Sequence, residues 1–102
     1  MEIIKESNND SLTLKLSGNV DSTAAPKLEA ELIPEFENYK NITLDFEEIK
    51  YISSAGMRVL LMGDKKAKAK GGKQTIKNVS SFVKEIFDVT GFSNILTFSI
   101  TY

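Results

Sequence analysis

The sequence of 102 residues contains no cysteine and no histidine. The lack of cysteine excludes disulfides, thiolate nucleophiles and sulfur-ligated metals, and it is compatible with a reducing cytosol. The lack of histidine excludes Ser–His catalysis, His–carboxylate metal sites and the usual general base at neutral pH. Long apolar runs are also missing, since none approaches the roughly 20 residues that a membrane-spanning helix needs. These absences weigh against an enzyme and a membrane protein, and we expect no metal site.

An excess of charge of one sign is missing too. The formal net charge is -1, from 13 basic and 14 acidic side chains. No global field draws such a chain toward nucleic acid or an anionic bilayer, so we expect no direct nucleic-acid binding and no membrane binding. Residues 1–6 lack the apolar stretch of a signal peptide, and we expect a cytoplasmic protein. The length and ordinary composition predict a single domain over residues 1–102.

The beginning of the chain has the pattern of a hairpin. Leu12, Leu14 and Leu16 alternate with polar residues, the period of two expected of a strand that is buried on one face. Before them, residues 7–10 favour a turn, because their short polar side chains bond locally to the backbone. We therefore expect two strands joined by that turn, and the Gly-Asn pair at residues 18–19 should end the second.

Three further strands are predicted along the chain. Alternation over residues 42–46 predicts the third, and we expect residues 47–52 to form a loop after it, anchored by Ile49 and Ile52. A short strand is expected over residues 74–78. The last predicted strand is formed by Leu96, Phe98 and Ile100.

The first helix is predicted to follow the hairpin. Asp21, Ser22 and Thr23 are each good N-caps, and Pro26 suits a first helical turn, where its missing N–H costs nothing. Pro34 clashes with the carbonyl four residues earlier, so we expect a kink there or a break into two short helices. The buried stripe, at spacings of three and four, is expected to be Ala25, Leu28, Leu32 and Phe36.

Two more helices are predicted. The second runs from Ala55 to about Lys70, and its apolar first half should be buried against a sheet. Ser80 or Ser81 then caps a third helix that ends at Gly91. Its inward residues are expected to be Phe82, Val83, Ile86 and Val89. The element order is therefore β-β-α-β-α-β-α-β, which predicts an α/β domain with a mixed, mostly parallel sheet covered by helices.

Ser54 is the residue best placed to carry a signal, because it lies where the chain passes into the second helix. Unpaired backbone N–H groups and the helix dipole at such a place favour a negative charge, such as a phosphate on serine. Gly56, two positions after Ser54, has no side chain. Adjacent serines before a helix are, however, more often simple N-caps. The local pattern alone leaves both interpretations open.

Residues 51–61, Tyr-Ile-Ser-Ser-Ala-Gly-Met-Arg-Val-Leu-Leu, resemble the signature of STAS domains in bacterial anti-sigma factor antagonists. In that family an aspartate or serine precedes the phosphorylated serine, and a small residue and a glycine follow it. The residues at these positions are Ser53, Ser54, Ala55 and Gly56. Residues 14–21 are similar to the family's strand ending in Gly-x-hydrophobic-Asp, which implies that Asp21 lies near Ser54. The resemblance covers nearly the whole chain and implies the STAS fold.

The resemblance implies regulation by binding and not an enzyme. The unphosphorylated protein would bind an anti-sigma factor, often a serine kinase, and so free a sigma factor. Phosphorylation of Ser54 would end that binding, and a phosphatase would be a further partner. No cofactor is implied, because ATP belongs to the kinase. The residues expected on the partner-binding surface are Asp21, Ser53, Gly56, Met57 and Arg58. Met57 is equally compatible with core packing, and Asp21 with capping alone.

The sequence departs from the family pattern at a few points. Ser53 replaces the acidic residue of many members, and Pro34 is unusual in the first helix. Members often continue into a further C-terminal helix, whereas this sequence ends at Tyr102. We therefore expect one face of the sheet to be less covered or to pair with another molecule.

Other functions compete with this one. Ser54 at a strand-to-helix turn superficially resembles a nucleophile elbow, but Ile52 stands where the first glycine belongs and no histidine can act as base. Residues 65–73 are rich in lysine, which could suggest phosphate or nucleic-acid binding. Lysine is, however, favoured near a helix C-terminus and usually forms a solvated face. The alternative that stays open is a STAS accessory or scaffold subunit, of the lipid-transporter or stressosome type, that binds its partner constitutively without a phospho-switch.

Overall fold

In the computed structural model, which describes residues 1–99, a four-stranded sheet forms the centre of the fold. Its strands stand in the order of the chain: β1 (Glu2–Asn8), β2 (Ser11–Val20), β3 (Asn41–Ile52) and β4 (Lys73–Lys77). β1 pairs with β2 antiparallel, whereas β2 with β3 and β3 with β4 pair parallel. The prediction of a mixed, mostly parallel sheet is confirmed.

Helices connect the parallel strands. They are α1 (Ala25–Leu32), a short 3-10 helix (Ile33–Glu37), α2 (Ser54–Ala69), α3 (Ser81–Thr90) and a second 3-10 helix (Phe92–Asn94). Within residues 1–99, none of the helices is long and apolar enough to cross a membrane. A single parallel bridge joins Phe98 to Ile76 where the last strand was predicted, and Ile100 lies outside the described residues. The predicted element order is confirmed as far as α3, and the bridge lies at the place of the last predicted strand.

β2 runs past its predicted end at Gly18-Asn19 and reaches Val20. Gly18 has a φ of 103°, which glycine adopts without the steric cost of a Cβ. The pairing with β3 shifts register between Lys15 and Ser17 and again between Gly18 and Asn19. Such bulges let a strand bend and keep its partner. The Gly-Asn pair therefore marks an irregularity inside the strand and not its end.

The prediction of a loop over residues 47–52 is wrong, because these residues continue β3. They pair with the end of β2, where Ile52 lies opposite Val20. The two register shifts disturb the alternation of buried and exposed side chains, so periodicity could not show the strand. Ile49 and Ile52 are buried, as predicted. The ends of β2 and β3 consequently lie side by side.

α1 begins later than its predicted caps suggest. Asp21 Oδ1 accepts the N–H groups of Thr23, at 3.0 Å, and Ala24, at 2.8 Å, so Asp21 caps a turn before the helix. The N-cap of α1 is Ala24, which makes no side-chain capping bond. Pro34 confirms the predicted break, since α1 ends at Leu32 and a 3-10 helix follows. The predicted stripe is also confirmed, with Ala25, Leu28, Leu32 and Phe36 all buried.

The core lies between the helices and one face of the sheet. The fully buried row on that face, paired in register across three strands, is Leu14, Leu44 and Ile76. One residue earlier along each strand, the row on the opposite face is only partly buried and consists of Thr13, Thr43 and Thr75. Successive side chains of a strand point to opposite faces, so the two faces of this sheet are covered unequally.

α3 turns a different face inward than predicted. Val83 is buried, but Phe82 and Val89 are 59% and 77% exposed, which corrects the prediction for both. Phe87, absent from the predicted stripe, is fully buried, and its ring lies 6.2 Å from that of Phe46. Successive residues of a helix are about 100° apart around its axis. Phe82 and Val89 therefore share one face, and Val83 and Phe87 share another that lies roughly 130° away. Packing on Phe46 therefore sets the rotation of this helix.

Candidate functional site

The candidate site lies where β2 and β3 end. Val20 and Ile52, the last residues of the two strands, are paired there, and Asp21 and Ser53 follow them in the sequence. The Ser53 N–H donates to the Val20 carbonyl oxygen at 2.8 Å, and Ser53 Oγ donates to the same oxygen at 3.1 Å. The parallel pairing of β2 and β3 thus brings the Asp21 turn beside the serine pair.

Ser53 is the N-cap of α2. Its backbone is extended, with φ -92° and ψ 171°, and its Oγ accepts the N–H of Gly56 at 3.2 Å. This bond satisfies one of the N–H groups that have no partner in a first helical turn. Because the same hydroxyl donates to Val20, Ser53 joins the start of the helix to β2. Its side chain positions α2, and contact of Ser53 with a partner stays a prediction.

Ser54 is the first residue of α2 and is exposed to solvent. Ser53 occupies the capping position, and no hydrogen bond engages the Ser54 hydroxyl within residues 1–99. The hydroxyl therefore stands free at the N-terminal end of a 16-residue helix, where the unpaired N–H groups and the dipole favour a negative charge. A phosphate at this position would alter the surface without entering the core.

A second serine pair in the same chain shows which features are special to Ser53 and Ser54. Ser80 is the N-cap of α3, its Oγ accepts the Val83 N–H at 3.2 Å, and Ser81 is the exposed first residue. Capping geometry is thus common to both pairs. The start of α2 differs because its cap is also bonded to the neighbouring strand.

Gly56 and Met57, which we expected on the partner-binding surface, are both buried in α2. A Cβ on Gly56 would lie 2.6 Å from Val20 Cγ1 and 3.0 Å from Ile52 Cγ1, which is too close for packed atoms. Met57 is 3% exposed, and Thr90 Oγ1 donates to its sulfur at 3.5 Å. Both residues fix the position of α2, and the core-packing interpretation of Met57 is confirmed.

Arg58 and Asp21 are the other predicted site residues with side chains near the surface. Arg58 is exposed and lies one helical turn beyond Ser54 on the same face of α2. Asp21 is partly buried and has the capping role described above. Contact of either residue with a partner stays a prediction.

Tyr51 is an exposed residue at this edge that the sequence analysis did not single out. It is 43% exposed and pairs with Asn19 near the end of β3. Exposed tyrosines are common in protein interfaces, because the ring offers a large contact area and the hydroxyl a hydrogen bond. An aromatic residue three positions before Ser54 could have indicated Tyr51 from the sequence. The prediction of a loop over residues 47–52 gave it no fixed position.

The lysine-rich end of α2 is engaged within the chain. Lys66 and Lys70 contact the Glu37 carboxylate at 3.2 and 3.0 Å, and Lys68 contacts Asp64 at 2.8 Å. Hydrogen bonds from Lys70 and then Lys66 hold the pKa of Glu37 below its ordinary value. These ion pairs agree with the prediction of a solvated structural face.

A cavity of about 190 Å³ lies beside the first register shift between β2 and β3, and none of its lining residues belongs to α2. Asp45 is its buried acid, and Asp45 Oδ1 accepts hydrogen bonds from Asn78 Nδ2 and the Glu47 N–H, both at 3.0 Å. Within residues 1–99 there is no group of three or more side chains able to hold a metal ion. The lining residues are Lys15, Leu16, Asp45, Glu47 and Glu48.

Known proteins resemble this chain in sequence and in fold. The family model described as "Mlab, STAS domain" matches residues 4–97, and the chain belongs to the STAS domain family. Within that family it groups with anti-sigma factor antagonists. It is 28% identical over 96 residues to the anti-sigma-B factor antagonist of Bacillus subtilis, covering 94% of this chain and 87% of that protein. It is 36% identical over 81 residues to BtrV of Bordetella bronchiseptica, named as an anti-sigma factor antagonist, covering 78% and 70%.

Solved structures share the fold. The anti-sigma factor antagonist SpoIIAA in its unphosphorylated form has a TM-score of 0.77 at 16% identity, covering 99% of this chain and 90% of that chain. Bacillus SpoIIAA in the phosphorylated form has a TM-score of 0.75 at 18% identity, covering 96% and 91%. At these identities the likeness concerns the fold alone. The predicted STAS fold and family are confirmed.

Proposed function

We propose that this chain is an anti-sigma factor antagonist controlled by phosphorylation. The unphosphorylated form binds an anti-sigma factor that is itself a serine kinase, and a sigma factor is thereby freed. Phosphorylation of Ser54 ends the binding, and a phosphatase restores it. The observation that carries the proposal is the exposed Ser54 hydroxyl at the first position of α2, left unused because Ser53 provides the cap.

The modification is a phosphoryl transfer from ATP to Ser54 Oγ. The bond between Oγ and the γ-phosphorus forms, the bond from that phosphorus to ADP breaks, and the hydroxyl proton passes to a base of the kinase. ATP therefore belongs to the kinase, and this chain acts by binding, without a cofactor of its own. The product carries about -1.5 to -2 charges at neutral pH.

The new charge acts on the surface and leaves the fold intact. Ser54 is exposed, whereas Gly56 and Met57, which hold α2 against the sheet, are buried. A phosphate at the N-terminus of a helix is compatible with the helix dipole, so the domain stays folded. A partner that packs over an uncharged serine would have to bury a doubly charged group, which is strongly unfavourable without a matched cation. The partner therefore dissociates.

The proposed partner surface surrounds Ser54 at the ends of β2 and β3. Asp21 lies on one side after β2, Tyr51 lies near the end of β3, and Arg58 lies one turn along α2. All three expose at least part of their side chains. Their chemistry, with one carboxylate, one phenol and one guanidinium, suits a mixed polar surface on the partner.

Capture of partners from a lysate of the source organism tests the proposal. Immobilised wild type, Ser54→Ala and Ser54→Glu are compared, and mass spectrometry identifies bound proteins and maps phosphate on the native chain. We expect wild type and Ser54→Ala to capture an ATP-binding kinase that Ser54→Glu fails to capture, with phosphate on Ser54. Ser81→Glu is the matched control, because it adds the same charge at the first position of α3 and should retain the kinase.

Two outcomes contradict the proposal. If all variants capture the same transporter or scaffold proteins and Ser54 is never modified, the chain is a constitutive STAS subunit. If Ser81→Glu loses the kinase as completely as Ser54→Glu does, added charge anywhere on the surface weakens binding, and Ser54 is not a specific switch.

A further inference from the structure

Arg58 is an exposed cation on α2 with no acidic partner in the part of the chain that the structure describes. On a helix, a side chain meets the residues three and four positions away. For Arg58 these neighbours are Ser54, Ala55, Leu61 and Met62. None of them is charged, and Ser54 is the one that can acquire a charge through phosphorylation. Arg58 is therefore placed beside the proposed modification and beside no other anion on its helix.

The geometry of α2 brings Arg58 and Ser54 together. Residues four apart lie on one face of a helix, with Cβ atoms about 5–6 Å apart. Helical side chains lean toward the N-terminus, so the Arg58 side chain covers the turn that begins at Ser54. An acidic group that precedes a basic group by four residues is also the more favourable order. A guanidinium can donate two parallel N–H bonds to a phosphate, which makes the pair specific.

We propose that Arg58 pairs with the phosphate on Ser54 within the same chain and is thereby withdrawn from the partner surface. The inference rests on the proposed function, since it needs a phosphorylated Ser54. In the unphosphorylated chain, Arg58 is free to meet an acidic group of the partner. Phosphorylation then changes the surface twice, because it adds a charge at position 54 and removes a cation at position 58.

Other charged groups on the elements around the start of α2 also act on a phosphate at this position. They are Asp21 before α1, Lys27 and Glu29 on α1, Lys50 on β3, and Lys84, Glu85 and Asp88 on α3, where Lys84 pairs with Asp88 at 3.0 Å. The acidic groups raise the pKa of a phosphate and the basic groups lower it. Their contributions are the same in wild type and in a variant at position 58, so a comparison of the two isolates Arg58.

A titration of the phosphorylated full-length chain tests the pairing. Phosphoserine is installed at position 54 through an expanded genetic code, and ³¹P NMR at low ionic strength follows the second ionisation of the phosphate, which is ordinarily near 6. Arg58 should lower this pKa, so Arg58→Gln should raise it by about 0.3 units or more. Arg58→Lys should preserve most of the lowering, because it keeps the positive charge.

Lys65→Gln is the matched control. Lys65 is exposed on the same face of α2, about three turns and roughly 16 Å beyond Ser54, and its loss should leave the phosphate pKa unchanged. Equal pKa values in wild type and Arg58→Gln would overturn the pairing, as would an equal shift in Lys65→Gln. The result does not depend on a kinase or on partner capture. Failure of the pairing is therefore distinguishable from failure of the phospho-switch.

Discussion

Gly56 lies so close to Val20 that a Cβ on Gly56 would stand 2.6 Å from Val20 Cγ1 and 2.8 Å from the Val20 carbonyl oxygen. The same carbonyl accepts two hydrogen bonds from Ser53. One residue of β2 therefore sets how closely the first turn of α2 approaches the sheet, and hence where Ser54 is displayed.

Gly56→Ala should lower the free energy of unfolding by about 1–3 kcal/mol, because the added methyl group has no space. Alanine is the better helix former by about 1 kcal/mol, so a loss of stability opposes the intrinsic preference. Urea denaturation measures the effect. Adding Val20→Ala removes the clash with Cγ1 but not the clash with the carbonyl, so the double variant should be more stable than the sum of the single losses predicts. A Gly56→Ala protein as stable as wild type would contradict the close contact.

Ser53→Ala should cost more stability than Ser80→Ala. Both variants lose an N-cap, which is worth about 1 kcal/mol, but only Ser53 also bonds to the neighbouring strand, which adds about 0.5–1.5 kcal/mol. Ser54→Ala should change stability by less than about 0.5 kcal/mol, because its side chain is exposed. The three variants are compared by urea denaturation. Equal losses for Ser53→Ala and Ser80→Ala would mean that the bond to Val20 contributes nothing.

Asp21 variants separate its capping role from a contact with a partner. Asp21→Asn keeps an oxygen that can accept the Thr23 and Ala24 N–H groups, so stability should stay within about 0.5 kcal/mol of wild type. Asp21→Ala loses the cap and should cost about 1 kcal/mol. If the carboxylate charge meets the partner, Asp21→Asn should reduce partner capture while the protein stays stable. If Asp21→Asn captures the partner as well as wild type does, the carboxylate charge of Asp21 makes no contact with the partner and the residue acts as a cap alone.

Lys5 links β1 to the helical layer through Glu31, at 2.9 Å, and Glu35, at 2.8 Å. Its hydrogen bond holds the pKa of Glu35 below the ordinary 4.5, and Glu35 with Glu31 raises the pKa of Lys5 above 10.5. Because the pKa of Glu35 is lowered, the ion pair stabilises the fold at pH values above the ordinary carboxyl pKa. This stabilisation is lost as the pH falls through the lowered pKa of Glu35. On the basic side, the stabilisation is lost as the pH rises through the raised pKa of Lys5.

Glu35→Gln should therefore lower the free energy of unfolding by about 0.5 kcal/mol at neutral pH, the usual size for a partly exposed ion pair. The difference from wild type should disappear below the lowered pKa of Glu35. Urea denaturation at neutral pH and at a pH below the lowered pKa of Glu35 measures this difference. Glu29→Gln is the control, since Glu29 is exposed on α1 and should show no such dependence. A difference that persists in acid would assign the effect of Glu35→Gln to packing.

Local patterns were sufficient for those parts of the fold that depend on neighbouring residues. Pro34 breaks the first helix because proline has no N–H to donate and its ring clashes with the carbonyl four residues earlier. Gly91 ends α3 with a φ of 83°, a conformation that glycine adopts at little cost. Alternation revealed the first part of β2, from Leu12, and the first part of β3, from Ile42, where no bulge disturbs the period.

Prediction failed where a contact between distant residues decided the outcome. Residues 47–52 carry no regular alternation and belong to β3 only because they pair with β2 through two register shifts. Phe82 and Val89 are apolar and yet exposed, because the packing of Phe87 on Phe46 sets the rotation of α3. Neither the bulged pairing nor the helix rotation is encoded in a short window of sequence.

The candidate site divides in the same way. The sequence by itself determined the serine pair, the glycine two positions on and the helix that follows, and these residues carry the family resemblance. Only the tertiary structure decided that Ser53 caps while Ser54 is exposed, and that Gly56 is held against the strand. The physical reason is the pairing of β2 with β3, which joins Ser53 to Val20 across 33 positions of the chain.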